Sequence, residues 1–214
     1  MRTPTFSAFF GAAWVCAVTL PPPLPAQEAP TVGSERWPPV RVEVPAAFQR
    51  LGSTTIDLYG VATAEIHVLA DVQDGVAERI YWIQFEGVRA DNDHIYDYGG
   101  EPWRVEIDGR AFHAGPNHYP RTELTEASEG SDSRSVVELI REAGAELPDA
   151  LVRVRLVHLD ETARNELLIL YLEDVKALGT TLGRLDADQA HRDRVFETLR
   201  SRAVNGLRLR PALR

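Results

Sequence analysis

Thr63-Ala-Glu-Ile-His-Val-Leu-Ala-Asp-Val72, then Gln73-Asp74-Gly75, then Glu78-Arg-Ile-Tyr-Trp-Ile-Gln-Phe-Glu-Gly87 is the stretch on which the fold turns. In the first segment Ala64, Ile66, Val68 and Ala70 fall on one side of an extended chain. Glu65, His67, Leu69 and Asp71 fall on the other, the period of two that a strand imposes. The second segment repeats the pattern, with Tyr81, Ile83 and Phe85 opposed to Ile80, Trp82, Gln84 and Glu86. Asp74-Gly75 suits the tight turn that joins antiparallel strands. The pair predicts a hairpin.

Working outward, Trp103–Ile107 and Ala111–Ala114 predict a second hairpin around Asp108-Gly109-Arg110. Leu151–Leu159 and Glu166–Leu172 predict a third, turning at residues 160–164. The run Leu167–Leu172 is apolar on both faces, as in a central strand covered on both sides. Val40, Val42 and Val44 alternate with charged residues in a short strand ended by Pro45, and Ile56, Leu58 and Val61 mark a weaker one. Gly115–Ser131 is polar and aperiodic, a surface loop. Ser135 and Glu138 form a capping-box pattern ahead of a stripe of Val136, Val137, Leu139, Ile140 and Ala143, with Gly144 as the stop. A final helix spans Asp188 to Asn205, turning Val195, Phe196, Leu199 and Ala203 inward, and Leu207–Arg210 adds an edge strand. The sum is an α+β domain over residues 40–214: a mainly antiparallel sheet built of hairpins, with two helices packed on one side.

Residues 1–26 read as a secretory signal peptide. Met1-Arg2 is a positive start, and Phe6–Leu20 is an uncharged apolar stretch. Its length, about 15 residues, suits a signal and falls short of a bilayer span. Prolines from Pro21 to Pro25 stop a helix there, and Ala26 offers a small residue for cleavage. Val15 before Cys16 is too large for a lipidation site. Residues 27–39 are a Pro-rich linker. Cleavage removes Cys16, the sole cysteine, leaving a thiol-free mature chain held by its core. The expected address is the periplasm or the exterior of a bacterium, with no transmembrane segment after cleavage. A net charge of −9 argues against general nucleic-acid binding. The exception is the Arg-rich segment His191–Arg214, which either balances the acidic body or meets an anionic surface.

The most distinctive polar patch is Glu86 to Glu101, which gathers Asp91, Asp93, His94, Tyr96, Asp97 and Tyr98. Asp91 and Asp93 offer alternating oxygen ligands for a divalent cation. Ile95 and Tyr96 then occupy places where a calcium loop needs a ligand and a glycine. The other interpretation is an Asx-rich turn whose carboxylates satisfy local backbone groups. His67 and His158 lie on predicted strands and either meet the His94 loop in a cleft or are separately hydrogen-bonded in place. His113 and His118 have no diagnostic metal spacing. Glu173-Asp174 ends the most apolar strand, placed for acid–base work or for capping the next turn. There is no nucleophile elbow, no Ser-x-x-Lys and no Gly-rich phosphate loop. No metal or cofactor is implied.

Tyr81–Gly87, Asp91–Tyr98, Leu156–Asp160 and Glu166–Asp174 resemble a family of uncharacterised exported bacterial proteins. That resemblance implies export and a single domain, and no activity or site residues. The expected function is therefore non-catalytic binding of a small ligand or an envelope protein. The ligand site would draw on Trp82, Asp91, Asp93, His94, Tyr96, Asp97, Tyr98, His67 and His158. The alternative is a metal-assisted or acid–base hydrolase using Asp91, Asp93, His94 and Asp97. Intact-mass spectrometry of the protein recovered from the periplasm is expected to show a chain beginning within a few residues of Gln27. A mass that retains Met1–Ala26 overturns the export signal.

Overall fold

A computed structural model describes residues 28–212, so the expected signal peptide, with Cys16, lies outside the described residues. The class is α+β. Seven antiparallel strands form the main sheet: β3 (Gln49–Leu58), β4 (Ala62–Gln73), β5 (Val76–Val88), β6 (Trp103–Ile107), β7 (Arg110–Pro120), β8 (Ala150–Leu159) and β9 (Asn165–Asp174). Their order across the sheet is β3-β4-β5-β9-β8-β7-β6. A small sheet joins β1 (Thr31–Gly33) and β10 (Arg208–Pro211) to either side of β2 (Val40–Glu43). Four helices complete the described chain: α1 (Thr122–Thr125), α2 (Asp132–Glu142), α3 (Leu182–Ala187) and α4 (Gln189–Asn205).

The β4–β5 hairpin turns at Asp74 and Gly75, both with positive φ, the backbone that a tight hairpin turn requires. From there the chain runs as two meanders. One, β3-β4-β5, grows inward from one edge; the other, β6-β7-β8-β9, grows inward from the opposite edge. They meet at the centre, where Ile83 pairs with Ile169 and Trp82 with Leu170. Residues 89–102 must therefore cross from the middle of the sheet to its far edge.

The alternation within the strands splits the core in two. Leu69, Tyr81, Ile83, Phe85, Ile169 and Tyr171 pack with Val195, Phe196, Leu199 and Ala203 of α4 and with Val42 and Leu209 of the small sheet. Ala64, Ile66, Val68, Trp82, Leu170 and Leu172 pack on the other face with Val136 and Ile140 of α2. The expectation of two helices on one side is thus corrected: α2 and α4 cover opposite faces. The cause is β9, whose Leu167–Leu172 run places apolar side chains on both surfaces and requires cover on each.

Three local expectations also change. Part of the expected loop at Gly115–Ser131 is strand, because β7 continues to Pro120 beside β8. The partner β6 reaches only as far as Ala114, so beyond it β7 is an edge, where Pro116 and Pro120 are tolerated. The first long helix starts earlier than Ser135: Ser131 is its cap, with Oγ accepting the Arg134 N–H. Within the stretch expected to be linker, Thr31–Gly33 pairs with β2, and Trp37 stacks on His158 at 5.1 Å between ring centres. Among the described residues no helix is long and apolar enough to cross a membrane.

Ile169 is fully buried where the meanders join. Ile169→Ala is expected to lower the unfolding free energy in urea by about 2–5 kcal/mol through cavity formation. A loss below about 1 kcal/mol would show that the junction is not tightly packed.

Candidate functional site

The crossover at 89–102 is the acidic aromatic segment singled out by sequence, and it lies as a strap across the α2 face. Its start is tied down by the β8–β9 turn: Tyr96 N–H donates to Ala163 O at 2.8 Å, and Arg164 donates to the carbonyls of Arg89 and Asn92. Tyr96 then donates its hydroxyl to Glu86 of β5. Tyr98 lies under the Arg155 guanidinium of β8, 5.0 Å from its ring centre, and its carbonyl meets His113 of β7 at 2.8 Å. Glu101 closes an ion pair with Arg155. The strap thus steps across β5, β8 and β7 in turn. Gly115 lies at its landing point, where an added Cβ would press on the Glu101 carboxylate and make that side chain shift.

This geometry occupies most of the carboxylates proposed for chemistry. Asp91 is exposed and paired with Arg89, and Asp97 accepts the Gly99 N–H at 2.8 Å. Asp93 and His94 are exposed, with the His94 ring edge-on to Tyr96. His67 and His158 belong to the opposite face. His67 is buried between Glu65 at 3.0 Å and Arg50 at 3.4 Å, with burial pushing its pKa down. His158 bonds the Ala111 carbonyl at 2.9 Å, and burial again lowers its pKa. The strands β5 and β9 separate them. The three histidines do not converge, and among the described residues no group of three or more His, Cys, Asp or Glu could hold a metal ion.

Trp82, one of the expected set, lines a cavity. From its indole a hydrogen-bonded chain runs beneath the strap: Trp82 Nε1 donates to Gln84 Oε1 at 2.9 Å, Gln84 to Glu86, and Tyr96 to the same carboxylate. Glu86 pairs across the strands with Glu166 of β9, so two buried carboxyls stand side by side. Burial raises both. For Glu166, burial and then the charge of Glu86 push the pKa up to about 8. For Glu86, burial outweighs the hydroxyl of Tyr96 and the amide of Gln84. Burial, reinforced by these acids, also pushes the Tyr96 and Tyr98 hydroxyls upward.

Beside this chain lies a cleft of about 220 Å³ between the sheet and the α1–α2 segment. Trp82, Tyr119, Arg153 and Arg155 line it from the strands, and Asp132 and Ser133 from the first turn of α2. Arg155 is committed to Glu101. Arg153 is not committed: its guanidinium lies 5.7 Å from the Tyr119 ring centre, its Nε is buried without a partner, and it makes no ion pair among the described residues. Burial lowers its pKa, as does the neighbouring charge of Arg155, while Tyr119 pulls the other way. Asp132 is pushed up by burial, with Arg153 opposing. A desolvated cation that makes no ion pair is costly, even with the Asp132 carboxylate in the same cleft, and an anion bound in direct contact lowers that cost.

Sequence reasoning passed over Arg153, Arg155, Glu86, Glu166, Tyr119 and Asp132 as site residues. One signal was present. Arg153-Val-Arg155 places two cations two apart on one face of a strand next to the most apolar strand of the chain. No family model matches the sequence, and neither a curated protein nor a solved structure matches it.

Because folding raises the Glu166 pKa, the native state holds a proton that the unfolded chain releases above the ordinary carboxylate range. Its contribution to stability is full below pH 4.5 and is lost as pH rises toward about 8. One such proton gives a slope of up to about 1.4 kcal/mol per pH unit. Urea unfolding between pH 5 and 8 is expected to show this decline, and Glu166→Gln to flatten it. An unchanged slope in that variant assigns the proton elsewhere.

Proposed function

We propose that this chain works outside the cytoplasm, in the periplasm or cell envelope, as a non-catalytic protein that binds a small anionic ligand in the Arg153 cleft. The carrying observation is the state of Arg153: a buried-stem guanidinium on a rigid strand, facing a cavity, with no carboxylate paired to it. Its planar fork suits a carboxylate or phosphate group. Trp82 and Tyr119 supply apolar and aromatic walls for the ligand body, and the first turn of α2 adds the positive end of its dipole. The N-terminal pattern of charge, apolar stretch and small residue supports export, and the resemblance to exported bacterial proteins agrees with it.

The hydrolase alternative draws less support. Asp91 and Asp97 are engaged in local bonds within the strap, and the histidines that would join them lie apart. Of the acids with raised pKa, Glu86 and Glu166 sit beneath the strap as its anchors and Glu173 belongs to the other face, while Asp132 lies in the cleft wall with its carboxylate accepting the Ser133 N–H at 2.6 Å.

Isothermal titration with succinate and with phosphate tests the proposal. Arg153→Met keeps the apolar stem and removes the charge. Anion affinity is expected to fall by about 30-fold, roughly 2 kcal/mol. The ligand-free protein is expected to gain on the order of 1 kcal/mol of stability, as the uncompensated charge is gone. Anion affinity that survives this substitution removes Arg153 from the site.

A further inference from the structure

We propose a second binding site, on the α4 face of the sheet, for an organic ammonium ion. At the end of the sheet near the β4–β5 turn lies a cavity of about 560 Å³. Tyr81, Tyr171 and Glu173 line it from the strands, and Glu78, Arg79 and Arg202 also contribute. The first three are almost fully buried, whereas the side chains of Arg79 and Arg202 are 36% and 47% exposed, so the guanidiniums form the rim.

The hydrogen bonding in this cavity is unbalanced in one direction. Asp71, also in the lining, is saturated by Arg79 and by Gln73 at 2.6 Å. Glu173 accepts Arg202 Nη1 at 2.6 Å on Oε1, while its buried Oε2 has no partner. Glu78 is half-buried and makes no ion pair among the described residues. Both guanidiniums are therefore engaged, and the unmet groups are carboxylate oxygens. An unmet buried acceptor is costly until a donor arrives. The terminal torsion of a glutamate is broad, so a small rotation presents the free oxygen of Glu173 to the cavity. The remaining N–H groups of both guanidiniums lie at the exposed rim, whereas the unmet buried atom is a carboxylate oxygen. A primary ammonium finds two carboxylates to receive its N–H groups and tyrosine faces to stack against. Such a site is separate from the Arg153 cleft, which lies on the other face and selects the opposite charge.

Calorimetric titration of the purified protein with 1,4-diaminobutane tests the assignment, with tetramethylammonium as a cation lacking N–H donors. The diamine is expected to bind and tetramethylammonium not to. Glu173→Gln and Glu78→Gln are each expected to weaken the diamine about tenfold, while Arg153→Met leaves it unchanged. Should Glu173→Gln fail to fold by circular dichroism, the rim variant Glu78→Gln decides the matter alone. No diamine binding, equal binding of tetramethylammonium, or affinity unmoved by the substitutions overturns the site.

Discussion

The pairing of β5 with β9 is the constraint on which the rest depends. Two meanders that grow inward from opposite edges can share one sheet only by meeting in the middle, and they do so along Arg79–Gly87 and Asn165–Glu173. Everything polar and distinctive follows from that junction. The chain leaving β5 must begin its next strand at the far edge, so a crossover has to lie on one face. A crossover over a sheet needs partners for its backbone and anchors for its side chains. Arg164, Ala163, Glu86, Arg155 and Gly115 provide them.

The strap brings buried charge with it. Glu86 and Glu166 face each other across the β5–β9 ladder, and burial favours their neutral forms. Arg155 is neutralised by Glu101, which the strap delivers. Arg153, two residues earlier on the same face of β8, makes no ion pair among the described residues, although Asp132 of α2 lines the same cleft. A charge left unpaired beside a network that itself holds unmet atoms, Arg155 Nε and Glu166 Oε2, is the arrangement expected of a ligand site, where unmet polarity in the free protein is met on binding.

Much of the architecture was legible beforehand, because it depends on local patterns. Period-two alternation located β4, β5, β8 and β9. Asp188 caps α4 with a side-chain oxygen accepting the His191 N–H at 2.9 Å, and Gly206 stands at its end. The errors have local causes of another kind. Pro116 and Asn117 obscured the second half of β7, since the absence of a β6 partner there is not written in β7 itself. The placement of α2 and α4 on one side conflicted with the two-faced apolar character of β9, which called for cover on both.

By itself the sequence determined the hairpins, the long helices, the central position of Leu167–Leu172 and the prominence of the Asp91–Tyr98 segment. These follow from interactions between residues close in the chain, whose spacing sets their face and turn. Only the tertiary structure decided what that segment does. Its tyrosines meet Glu86 and Arg155, and its carboxylates meet nearby backbone and Arg89, so it serves as a strap before it serves anything else. Only the fold, too, decided that His67 and His158 lie on one face and the strap on the other, and that Arg153 is left without an ion pair among the described residues. Those facts depend on which strands become neighbours, and neighbourhood across a sheet is settled by burial of both faces together rather than by any short stretch of chain.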